Sequence, residues 1–405
     1  MRKLLLLSLI FFLAIPVFAQ SSFDFGFNLG LGTIVYNGTT YQTVSLKPDL
    51  SFGKFGIGLD IFFMFDENFN IVSDNWDSFA DWMNKILYIR YGTKGDPLYS
   101  QIGMFKNVVL GHGLIMYNYT NMLYFPEIRK LGFELDLDGN IFNFPYLGVE
   151  SFIDNLLDPD IMAFRLYSRP LLFLQIPILS NIKIGFTYAL DSDPMETKAQ
   201  DMNLEDNSAS STVNIIGLDL EVPFLQSDAV YMYGYADWAM ILDKGNGTEI
   251  GVNAYLFKLV YMGLALDLFG DKFTNQYFDI LYENYDVRNS KFQYLDSLIS
   301  TVGWRTFASL LIGQDIFSLY FEMRGDFSSS PLTLIGSLKL DKSVLKILSL
   351  EGMFIRSGIT NFGDLLNWSS NALLNSYILF ILSLNVGDTS SVSLVYQITW
   401  DKDGN

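Results

Sequence analysis

The chain has 405 residues, with 44 acidic side chains against 26 basic ones, one histidine and no cysteine, for a formal net charge of −18. Without cysteine no disulfide framework and no thiolate metal site can form, and so acidic a chain argues against nucleic acid as a partner. Half of the residues are hydrophobic and 16% are aromatic, yet beyond the N-terminal segment no apolar run approaches the roughly 20 residues that a membrane helix needs.

The chain opens Met-Arg-Lys, followed by "LLLLSLIFFLAIPVFA" with small residues at Val17 and Ala19. A basic start, a short apolar run and a small-residue ending are the parts of a secretory signal peptide. Residues 1–19 are therefore read as a cleaved leader and 20–405 as one domain.

From Ser21 the sequence alternates. Phe23, Phe25, Phe27, Leu29 and Leu31 stand against Asp24, Gly26, Asn28, Gly30 and Gly32. The same period of two returns in "FGIGLDIFF" (55–63), "LGFELDL" (131–137), "IKIGFTYAL" (182–190), "YMGLALDLF" (261–269), "FSLYFEM" (317–323) and "VSLVYQITW" (392–400). Alternation of this kind marks strands with one apolar and one polar face. Roughly 18 to 20 such segments recur, each about ten residues long, which suits a tilted membrane-crossing strand. Long helical periods are nearly lacking, so a sheet this wide has to close on itself. Short turns at 52–56, 93–97, 225–228, 312–315 and 387–390 alternate with long polar insertions at 66–84, 191–211, 270–298 and 357–372. Keeping every short turn on one side leaves an odd number of strands, which points to a miscounted segment near 106–125 or 142–146.

The phase opposite to the apolar ladder collects the charges. Glu134, Asp136, Glu150, Asp219, Glu221, Asp237 and Glu322 share it with Arg165, Arg169, Lys183, Arg305 and Arg324, and these are the candidate pore-lining residues. Asp24, Asp60, Asp267, Glu351, Arg90 and Lys339 follow the same phase. A basic residue on the lipid side near the midplane would cost about 2 to 4 kcal/mol. Along 131–190, three acids from two strands precede Arg165, Arg169 and Lys183 from the next two. They make either opposed clusters with a transverse field or cross-strand ion pairs. Tyr231, Tyr233 and Tyr235 share a face with Asp237, as a row in the lumen on which sugar rings stack or as part of an interfacial girdle.

Residues 108–139 depart from plain alternation. Glycines surround His112, "YNYTN" follows, and Pro126 breaks the chain. A loop folded into or over a barrel mouth fits this stretch, with His112, Tyr117, Asn118, Tyr119 and Asn121 as its candidate inward residues. His112 as a general base would need a serine nucleophile beside it, and no G-x-S-x-G occurs. One histidine without cysteine makes zinc improbable, and 191–208, although acidic, lacks the ligand pattern of a calcium loop. No catalytic residue, metal site or cofactor is expected.

Taken together, the leader, the missing cysteines, the aromatic richness and the recurrent alternation resemble bacterial outer-membrane β-barrels over the whole mature chain. The resemblance implies an all-β, closed, antiparallel transmembrane barrel of roughly 18 to 20 strands with long extracellular loops, sitting in outer-membrane lipid. It implies assembly by the barrel-assembly machinery through the C-terminal strand 391–400, whose alternation runs up to Trp400 before "DKDGN". It also implies a water-filled, mildly cation-preferring passage for small solutes. The alternative is a plugged barrel acting as a structural or adhesive surface protein through its loops, especially 270–298 with Phe273, Tyr277, Phe278, Tyr282 and Tyr285.

Overall fold

The computed structural model describes residues 23–36, 39–72, 76–125, 128–197, 200, 211–313, 316–328, 331–361, 363–364, 376–386 and 390–399. The leader 1–19, Pro126, Trp400 and the residues after it lie outside these, as do the side chains of Phe23, Asp24 and Asn28.

The structure is one antiparallel meander. Its first strands are Phe23–Tyr36 (β1), Thr39–Phe52 (β2), Phe55–Leu59 (β3), Ile61–Phe65 (β4), Ile86–Tyr91 (β5), Leu98–Gly103 (β6) and Gly132–Asp138 (β7). Leu147–Ile153 (β8), Ile161–Ser168 (β9), Lys183–Asp191 (β10), Val213–Gln226 (β11), Val230–Ile241 (β12) and Asn246–Leu256 (β13) follow. Val260–Phe269 (β14), Thr301–Ile312 (β15), Phe317–Asp326 (β16), Leu332–Leu340 (β17), Leu348–Ile359 (β18), Tyr377–Val386 (β19) and Ser390–Thr399 (β20) complete it. Among the described residues no helix is long and apolar enough to cross a membrane.

β3 and β4 both pair with β2 and form one span interrupted at Asp60. The interruption has a cause: the Asp60 backbone N–H donates to the Lys85 carbonyl at 2.7 Å, while its carboxylate takes Arg129 at 2.9 Å and the Ser45 hydroxyl. Counted as spans, the twenty strands of the described residues make nineteen. The count is therefore odd among the described residues: 106–125 and 142–146 are not strands, and β1 and β20 run in the same direction. Their traces lie side by side, with Cα atoms within 8 Å.

Burial is inverted relative to a water-soluble sheet. Along one face Phe164, Leu166, Ile184, Phe186, Leu218, Leu220, Leu264, Leu266 and Phe321 are exposed. On the other, Glu134, Arg165, Asp219, Asp237, Glu249, Asp267, Arg305 and Glu322 are buried, Glu322 completely. The period of two assigned at the sequence level therefore holds through the ladder, with one correction: Leu131, read as part of the outward ladder, is only 6% exposed and precedes β7. It ends the segment that folds inward and is buried there, its carbonyl accepting from the Leu156 N–H at 2.8 Å.

Inner-face aromatics lie flat over glycines of the neighbouring strand. Tyr167 stands opposite Gly148 and Tyr235 opposite Gly251. A Cβ on Gly148 or Gly251 would meet those rings at 2.1 or 2.4 Å, so only glycine lets the ring lie against the wall. The β13–β14 turn has the opposite character: Phe257 (φ 54°) and Lys258 (φ 57°) both take the left-handed region, closed by Leu259 N–H donating to the Leu256 carbonyl at 3.0 Å. That geometry matches the strand twist but is strained for residues other than glycine or asparagine.

Connections separate by end. The short turns β2–β3, β5–β6, β11–β12, β13–β14 and β15–β16 share one end, and the long connections 66–85, 104–131, 192–212, 270–300 and 360–376 share the other.

Candidate functional site

Two long connections pack against the charged face of the sheet instead of standing away from it. In the first, Val108 and Tyr119 form an antiparallel bridge; in the second, Phe278 bridges in parallel to Met116, so the two segments are joined. Val108, Met116, Tyr119, Tyr277, Phe278 and Tyr282 are at most 1% exposed. They pack against Phe152, Ile161, Ala189, Ile215, Ala239 and Ile241 at the long-loop ends of β8 to β12. This corrects the reading of 270–298 as an exposed adhesive loop. Phe273, Tyr277, Phe278, Tyr282 and Tyr285 are each at most 9% exposed, because the segment supplies the apolar filling that the inner wall needs there.

The first segment is held at many points. Asn121 accepts from Phe105 N–H at 2.7 Å and donates to the Asp154 carbonyl at 2.9 Å. The Tyr117 hydroxyl meets that of Tyr320 at 2.8 Å, and Tyr119 donates to Glu283 of the second segment. Asn118 sits between them at φ 55°, in the left-handed region that asparagine tolerates better than most residues. His112 lies between two wall carboxylates: Nδ1 is 2.7 Å from Asp237 and Nε2 3.3 Å from Glu221. Burial works against its charge, but Asp237 and then Glu221 outweigh that, and the imidazole is raised from its ordinary 6.5 to about 9. It is stacked on Tyr235 with ring centroids 4.5 Å apart.

The second segment is fixed by Arg288, in the helix Tyr285–Tyr294 that Asn284 caps. Its guanidinium takes Asp191 through Nε at 3.0 Å and Nη2 at 2.8 Å, and Glu196 through Nη1 at 2.7 Å. Lys130 joins the two segments to the wall, 2.9 Å from Glu283 and 3.7 Å from Asp154.

All twelve candidate lining residues lie on the inner side, and the structure joins most of them in pairs. Lys94 reaches Glu134 and, at 2.8 Å, Asp136. Arg165 bridges Glu150 at 2.7 Å and Asp219 at 2.6 Å. Arg169 holds Asp138 at 2.5 Å, and Lys183 holds Glu221 at 2.9 Å. Arg305 meets Glu249 at 2.6 Å and lies over the Tyr117 ring at 4.8 Å. Glu322 accepts from the Tyr320 hydroxyl at 2.5 Å, and Arg324 is 3.7 Å from Asp279 of the second segment. Acid and base are thus interleaved along the wall rather than gathered into two opposed patches. Glu249 escaped the sequence reading, although "NGTEIGVNAYL" carries it in the inward phase. Arg288 could not have been found this way, since its partners lie more than ninety positions earlier.

Open space remains beside this packing. A cavity of about 410 Å³ lies between the inner wall of β5 to β7 and the start of the first segment, lined by Tyr88, Lys94, Gln101, Lys106, Met122 and Glu134 among others. Lys106, whose side chain is 65% exposed, crosses to Glu351 of β18 at 3.0 Å.

No family model matches the chain, and no curated protein sequence matches it. Solved structures similar to it are bacterial outer-membrane proteins. OccK11 (OpdR) of Pseudomonas aeruginosa has 10% identity and a TM-score of 0.37, covering 84% of this chain and 90% of that one. OpdQ of the same organism has 8% identity and a TM-score of 0.34, covering 93% and 95%. Wzi of Escherichia coli, described as a carbohydrate-binding β-barrel involved in capsule assembly, has 10% identity and a TM-score of 0.31, covering 96% and 83%. In fold, the chain is similar to porin-like outer-membrane β-barrels.

Proposed function

We propose that the chain is exported, closes into a barrel in the bacterial outer membrane and passes small solutes through a lumen narrowed by the two inward segments. The observation that carries this reading is the inverted burial. Phe164, Leu218 and Leu264 are 41%, 52% and 67% exposed while Glu249 and Glu322 are fully buried, which costs far too much in water and is the stable arrangement in lipid. Closure is supported by β1 lying beside β20. With nineteen alternating spans that seam is parallel, and it removes the edges that hydrocarbon does not tolerate. The passage runs along β5 to β7, where the 410 Å³ cavity carries Lys94, Lys106 and Glu134, and the acidic excess gives it a mild cation preference.

A second reading is a plugged barrel, favoured by the way the first segment is tied across the lumen, to Asp60 through Arg129, to Tyr320 through Tyr117 and to Glu351 through Lys106. Single-channel recording of the refolded protein in a planar bilayer under a salt gradient separates the two. Stepwise conductance with a cation-side reversal potential is expected; an intact barrel that stays silent overturns the channel and leaves the plug.

A further inference from the structure

At the short-turn end, below the charged belt, the inner wall carries a continuous row of aromatic rings on adjacent strands. Tyr231 of β12 is 6.2 Å from Tyr255 of β13, which stacks on Tyr261 of β14 at 4.1 Å and 14°. Tyr261 is 4.9 Å from Phe307 of β15, which is 6.4 Å from Tyr320 of β16. Strand register places Tyr231 opposite Tyr255 and Tyr255 opposite Tyr261. Between them in sequence, Met232 and Met262 take the outer face with the exposed ladder, and Met262 is 40% exposed. The row is therefore not the outward girdle that anchors a barrel at headgroup level.

The row is open at Tyr255, with Tyr231 and Tyr261 half-buried on either side, whereas Phe307 is only 5% exposed. Tyr255 is 41% exposed although it points to the inner side, while its neighbour Tyr233 is only 7% exposed. Polar groups are held at fixed positions along the edge. Asn253 donates to the Tyr233 hydroxyl at 2.9 Å and to the Tyr261 hydroxyl at 3.2 Å, and its buried carbonyl oxygen has no hydrogen-bond partner. Tyr231 donates to Glu221 at 3.2 Å. Flat rings offer the apolar face of a pyranose an area to stack on, and the tyrosine hydroxyls, held in place by the buried Asn253 and Glu221, match its hydroxyls.

We infer that Tyr231, Tyr255 and Tyr261 form a binding platform for a neutral carbohydrate ring. The inference goes beyond the channel reading and does not require ions to pass.

The test is saturation-transfer NMR on the full chain in detergent micelles, with maltotetraose as probe and the acyclic polyol sorbitol as control, on protein whose folding is checked by heat-modifiable gel migration. Maltotetraose should receive transfer and sorbitol none. Tyr255→Ala should weaken binding by about tenfold, and Tyr255→Phe, which keeps the ring, should bind as the parent does. No transfer to maltotetraose, equal transfer to sorbitol, or binding that survives both Tyr255→Ala and Tyr261→Ala would overturn the platform. Because micelles report binding alone, a silent bilayer and a failed titration are separate results.

Discussion

The two ends of the same strands are built differently. At the long-loop end the inner face is aliphatic or small, with Ile161, Ala163, Ala189, Val213, Ile215, Ala239 and Ile241 almost wholly buried under the inward segments. At the short-turn end the inner face carries Tyr167, Arg169, Lys183, Tyr231, Tyr255 and Tyr261, of which Tyr255 is exposed and the others are half-buried. A wall that another segment covers has to be apolar and shallow, because desolvated charge without a partner is costly. A wall that nothing covers keeps large polar rings and charges in contact with water. Between the ends, the charges are neither free nor segregated: Arg165, Arg305 and Arg324 each have a carboxylate within 4 Å.

The contrast can be broken most forcefully at Arg288, which is 1% exposed and pairs with Asp191 and Glu196. Arg288→Ala leaves buried carboxylates unpaired and should cost about 3 to 5 kcal/mol in urea unfolding of the refolded protein. A loss under about 1 kcal/mol would mean that the second segment is not what holds the long-loop end together.

His112 gives a smaller effect with a definite sign. Its pKa is raised on folding from 6.5 to about 9, so its stabilisation is complete below 6.5 and is lost as the pH rises through about 9. The urea midpoint should fall between about pH 7 and about pH 10, and His112→Gln should flatten that part of the profile. An unchanged slope in the variant would place the titration elsewhere.

Selectivity sharpens the comparison further. Glu134→Gln with Asp136→Asn leaves Lys94 unpaired beside the cavity, and the bilayer reversal potential should move towards anions. If it does not move, these carboxylates only brace the wall. The smallest effect belongs to the short-turn end: Lys258→Gly relieves a left-handed residue (φ 57°) and should add about 1 kcal/mol to unfolding stability.

The strands, their two faces and the inward phase of the charges were legible in the sequence because they depend on a period of two, which is local. The odd span count was legible as well, although it looked like a fault until 106–125 was seen to fold inward. A further signal was present and went unread. At the long-loop ends alternation fails, as in "II" (215–216) and "AMI" (239–241), because the inner positions Ile215, Ala239 and Ile241 are apolar too, covered by the inward segments.

What the sequence could not convey is which loops enter. The segment 104–131 announced itself by its glycines and its lone histidine, whereas 270–298 read as an exposed loop with the same aromatics that the structure buries. Its place depends on Arg288 meeting Asp191 across 97 positions and on Phe278 meeting Met116. Likewise His112 reaches Asp237 across 125 positions. The sequence by itself determined the wall, since alternation fixes the faces of each strand without reference to any other. Only the tertiary structure decided the packing on the inner face, because charge pairs and packed rings drawn from distant strands exist only once the sheet has assembled.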